Sequence, residues 1–140
     1  MIDIESYVAA VGRLLLVALF FVSALGKLAA PAATKAYIVA KGLPFPDLAL
    51  WISIFVELGG GALFLIGYQT RIVALGLALY SIATALVFHH NLAEQNEMLH
   101  FLKDLAIAGG FVQVAAFGGG ALSLGRAQGR PRILKAPGAG

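Results

Sequence analysis

Arg13, Glu57, Lys103 and Asp104 are ionisable residues set inside long apolar runs, and that setting limits the chemistry they could do. A charge near the centre of a bilayer costs at least about 2.5–3.5 kcal/mol, so such groups turn inward and find partners. A buried carboxylate beside a cation and a hydroxyl can handle a proton, or grip the polar head of an apolar ligand. Glu57 is the deepest of them. Nine residues separate it from Gly67, which is about 14 Å of helix and puts it near the midplane. Counting the other way from the turn brings Tyr80 to the same level, with Arg13 roughly one to two helical turns nearer the termini. The spacing predicts an Arg13–Glu57 ion pair with Tyr80 as a hydrogen-bond donor. A purely structural lock between helices fits the same residues equally well. Lys27, at the far end of its helix, can snorkel to the interface or pair with Asp104.

All three histidines fall in the stretch "HHNLAEQNEMLHFLKD", residues 89–104. Glu97 and His100 form an E-x-x-H, the spacing that sets two metal ligands on one helix face. Di-iron bundles need two such motifs and two further glutamates, and this chain has one motif. His89 and His90 diverge on a helix, so no metal site is expected. His89 and His100 are rim candidates for touching a partner or a ligand head, and Arg71 is the rim candidate at the opposite end. No cysteine is present, which excludes disulfides and thiolate ligands. The sequence shows no flavin, haem or iron–sulfur ligand set, and no phosphate loop or Ser-His-Asp set. Quinone is the one cofactor that such an apolar setting with a few donors would suit, and no motif specifies it.

Hydrophobic residues make up 60% of the 140-residue chain and charged residues 12%, against about 45–50% and 25% in soluble domains. The apolar residues gather in four runs long enough to span a membrane as helices, since about 20 residues cross its core. Helices are expected at about 6–29, 47–67, 70–90 and 98–117, making residues 1–122 an all-α integral membrane four-helix bundle. "KGLPFPD" breaks the first connection, with Asp47 as a candidate N-cap. "GYQT" at 67–70 forces an antiparallel hairpin, and the glycines near 59–61 and 109–110 suit close helix packing. Residues 123–140 are expected to be a basic, disordered tail. Arg13 precedes a passable signal-peptide core, but the acidic start and the spanning length predict a retained helix.

Four spans put both termini on one side. Arg13, Arg71, Arg126, Arg130, Arg132 and Lys135 share that side, against Lys27, Lys35, Lys41 and Lys103 on the other. The excess places both termini in the cytoplasm of a bacterial inner membrane. The lipid bilayer is then the main partner, and nothing in the charge pattern points to nucleic acid.

Several strings resemble the DoxX family of small four-helix bacterial and archaeal membrane proteins, in order over about residues 11–125. They are "RLLLVALFFVSALGKLAAP", "KGLPFP", "ELGGGALFLIGYQTR", "HFLKDLAIAGGF" and "GGGALSLG". By position, the family anchors are Arg13, Gly26, Lys27, Gly42-Leu43-Pro44, Glu57, Gly67, Arg71, Lys103 and Asp104. The closing Ser-Leu-Asp of the family reads Ser-Leu-Gly here, at 123–125. The resemblance implies a membrane subunit or anchor of a quinone-linked redox or respiratory complex, with protein partners and room for a homo-oligomer. Any oxidoreductase chemistry would draw its metal or flavin from another chain. A small transporter moving protons or a solute, and a ligand-free scaffold, are the alternatives.

Overall fold

The computed structural model describes residues 3–124. Its helices are α1 (Ile4–Ala29), α2 (Pro31–Ala40), α3 (Pro46–Ile66), α4 (Thr70–Phe88) and α5 (Gln95–Phe117). No strand occurs among the described residues. All but α2 are long and apolar enough to cross a membrane. The basic tail with Arg126, Arg130, Arg132 and Lys135 lies outside the described residues.

Local signals explain most of the boundaries. Asp3 caps α1, accepting from the Ser6 backbone N–H at 3.1 Å and the Ser6 hydroxyl at 2.6 Å. The connection expected to be a loop contains α2, because Pro31 starts a helix at its first position and alanines continue it. α3 opens on Pro46 rather than after it, and its N-cap is Phe45 in a left-handed conformation. Asp47 therefore lies in the first turn, paired with Lys35. Gly67 ends α3 at φ 78°, a conformation that favours glycine. The α4–α5 connection is residues 89–94 rather than the expected 91–97, since α4 stops at Phe88 and α5 starts at Gln95.

The core runs along the bundle axis. Val17, Phe20, Phe64, Leu77 and Phe111 are buried together, with Phe64 edge-on to Phe111 at 5.0 Å. A smaller cluster of Ile38, Leu50 and Ile54 holds α2 against α3. Leu15, Val22, Phe55, Ile72 and Phe117 point outward, as lipid contact requires. The glycines divide. A Cβ on Gly61 would meet Phe21 and one on Gly110 would meet Leu16, whereas Gly59 and Gly109 face open space. Gly61 and Gly110, with Gly60 against Leu77, permit close helix approach.

Candidate functional site

α3 is not a regular helix throughout. Val56–Gly60 form a π turn, and Glu57 lies inside it. Such single-turn bulges re-aim a side chain without ending the helix, and they concentrate at functional sites. The Glu57 carboxylate is held inside the bundle, with 5% of its side chain exposed. Its Oε1 accepts from Lys27 Nζ at 2.6 Å, Tyr80 OH at 3.0 Å and Ser23 Oγ at 3.2 Å. Its Oε2 is buried and has no donor among the described residues.

The cation on Glu57 is therefore Lys27, and the expected Arg13–Glu57 and Lys27–Asp104 pairs do not form. Arg13 is too far down α1. Its Nη1 donates to the carbonyls of Leu65 at 2.8 Å and Phe64 at 3.4 Å, and its Nη2 donates to that of Leu122. The last carbonyls of a helix have no partner within it, so a buried guanidinium there satisfies α3 and ties down the closing segment. Between the levels of Arg13 and Glu57 lie Phe20, Phe64, Leu77 and Phe111. Lys27, by contrast, extends its stem one turn back along α1, past Ser23, to the carboxylate.

Two cavities meet at Glu57. The larger, about 420 Å³, lies among α1–α4 and is walled by Tyr37, Ile38, Leu43, Ile52 and Phe88, with Ser23, Lys27, Ser53, Glu57, Tyr80 and His89 among its polar residues. Tyr37 and Phe88 stack at 5.7 Å along its wall. The smaller, about 270 Å³, carries His89, His100, Lys103 and Asp104. The His89 and His100 rings stack at 5.1 Å, and His89 Nε2 is 3.9 Å from Asp104 Oδ2. Burial pushes the His89 imidazole below its ordinary value, and the Asp104 carboxylate opposes that. His100 and Lys103 are exposed and Asp104 is half-buried.

Of the candidates named from sequence, Lys27, Glu57, Tyr80, His89, His100, Lys103 and Asp104 line one or both cavities. Arg13 belongs to the clamp at the other end, and Arg71 is exposed on α4 beyond it. Glu97 does not act with His100. Its carboxylate takes Lys41 Nζ at 2.6 Å and the Asn91 N–H at 3.1 Å, fastening the turn after α2 to the start of α5. Among the described residues no three histidine or acidic side chains are grouped to hold a metal ion. Ser23 and Thr84 were not foreseen. Each stands four residues from a named site residue, Lys27 and Tyr80, and so shares its helix face.

The DoxX family model matches residues 8–90. The chain is 40% identical over 116 residues to "Inner membrane protein YqjF" of Escherichia coli strain K12, covering 83% of this chain and 88% of the relative. It is 31% identical over 121 residues to "Inner membrane protein YphA" of the same organism, covering 83% and 86%. No solved structure matches it.

Proposed function

This chain belongs to the DoxX family, and on that premise we propose that it is an inner-membrane subunit or anchor of a quinone-linked redox complex. The observation that carries the proposal is the larger cavity, a largely apolar space of about 420 Å³ with Lys27, Tyr80 and Glu57 at its base. Small-molecule sites are typically apolar slots of about 300–1,000 Å³ with a few placed donors. A quinone-sized ring fits the aromatic and aliphatic walls. Lys27 Nζ, which donates one hydrogen bond to Glu57, has two more N–H groups for a ring carbonyl. Such a ligand supplies two-electron, two-proton chemistry when bound, while this chain contributes walls, donors and a carboxylate. The relatives are named as inner membrane proteins, and the excess of arginine on the terminal side supports the reading that both termini are cytoplasmic. The cavities then open toward the outer half of the bilayer.

A proton or solute path through the whole bundle is less well supported, because Phe20, Phe64 and Phe111 pack between Arg13 and Glu57. A ligand-free scaffold is less well supported because Glu57 Oε2 is buried beside two cavities without a donor. Gentle-detergent purification from the native host, with mass spectrometry of the proteins and lipids that follow the chain, tests the proposal. Retained quinone and a redox partner are expected. A homogeneous species with neither would overturn it.

A further inference from the structure

Glu57 borders a second cavity that the ligand slot does not use. This space of about 270 Å³ lies between α1, α4 and α5 and shares Ser23, Tyr80, Thr84 and His89 with the larger one. It runs from exposed His100 and Lys103, beside the α4–α5 loop, past Asp104 to the buried carboxylate. Two buried carboxylate oxygens, Glu57 Oε2 and Asp104 Oδ2, belong to residues lining it and have no donor among the described residues. Buried polar atoms require partners, and a space of this size, largely apolar but with these polar groups along it, admits several waters at about 30 Å³ each. In the other direction the apolar cluster of Phe20, Leu77 and Phe111 closes the route.

We propose that this compartment is a one-sided proton-access route, in which Asp104 and His89 pass protons between solvent at the α4–α5 loop and Glu57. It deepens the ligand reading by giving Glu57 a task in that same site, with Lys27 as its gate. When Lys27 turns toward an incoming carbonyl, Glu57 is left as a buried carboxylate without its cation, which is costly. The carboxylate then takes up one proton. An O–H bond forms at Oε2, the proton arrives along the waters past Asp104, and solvent replaces it at the His89–His100 rim. No electron moves in this step. The charged and titratable groups facing Glu57 are Lys27 from α1 and Tyr80 from α4. Across the cavity stand His89 at the end of α4 and Asp104, Lys103 and His100 from α5, while Tyr37 of α2 lines the larger cavity. His89 suits the relay because burial favours its neutral form, which has one nitrogen to accept and one to donate.

The test needs no quinone, so its failure and that of the ligand reading are separable. In Lys27→Met, difference infrared spectroscopy is expected to show a protonated-carboxyl stretch that disappears in Lys27→Met/Glu57→Gln. On perfusion with D2O that band shifts promptly. Adding Asp104→Asn slows the shift by on the order of a hundredfold, the scale of a lost positioned proton carrier. Ser53→Phe, at a residue that lines the larger cavity and not the smaller, leaves the rate unchanged. Should Asp104→Asn fail to fold, His89→Gln carries the same expectation. Absence of the carboxyl band, or exchange equally fast without Asp104 and His89, overturns the proposal. Slowing by Ser53→Phe alone would overturn it too, because protons would then enter through the ligand slot.

Discussion

Replacing Lys27 by Met keeps the stem and removes the ammonium that lies 2.6 Å from Glu57 Oε1. Removing one partner of a buried ion pair costs about 3–5 kcal/mol, because the other charge remains buried. Lys27 is 20% exposed and Glu57 5%, so solvent screens the lysine end and about 3 kcal/mol is expected. For a chain of this length each kcal/mol moves Tm by about 3–4 °C, giving a fall of roughly 10 °C. Glu57→Gln alone leaves the ammonium a neutral acceptor, and the lysine is the more exposed of the two side chains, so it costs less. Lys27→Met/Glu57→Gln removes both charges and is expected to recover most of the loss. Thermal unfolding in detergent, followed through Trp51 fluorescence, measures all of this. Costs that simply add in the double variant, or a Lys27→Met deficit no larger than that of Glu57→Gln, would refute the reasoning.

Other expectations concern the clamp and the loop. Arg13→Met takes the guanidinium from the carbonyls of Leu65 and Leu122 and leaves Phe64 only the Gly67 N–H; it should cost about 2–4 kcal/mol in unfolding, while quinone binding measured by titration stays unchanged. Gly67→Ala should be severe, since a Cβ there would lie 2.3 Å from Ser123 Cβ and 2.7 Å from Arg13 Nη1 at φ 78°. Adding Ser123→Gly should relieve part of the loss in Tm. Lys41 is held above the ordinary lysine range by its bond to Glu97. Its small contribution should therefore be complete at neutral pH and lost as pH rises through that raised value, which a comparison of Tm between the protein and Lys41→Ala would detect.

The spans were legible because lipid imposes a length and an apolar composition on any helix that crosses it. Glu57, Tyr80 and the α3–α4 hairpin were legible too, since a short turn fixes the register of the two helices it joins. The partner of Glu57 was not. Residue counting ranks depth along an axis, but it does not see the π turn that re-aims Glu57. Nor does it see that the free carbonyls ending α3 compete for Arg13. Likewise the E-x-x-H spacing of Glu97 and His100 is correct for a shared face, yet Lys41 approaches from another element and takes the carboxylate. Helical periodicity fixes which residues share a face and leaves open which neighbour arrives there.

The central claim, a lipophilic ligand seated over Glu57, is tested most directly with a photoreactive benzoquinone analogue, illuminated on the protein in lipid nanodiscs, and peptide mapping. Labels on the wall of the larger cavity, at Tyr37, Ser53 or Phe88, and lost under excess unreactive quinone, are predicted. Labels confined to the lipid-facing side chains of Trp51 and Phe55, without competition, would contradict it.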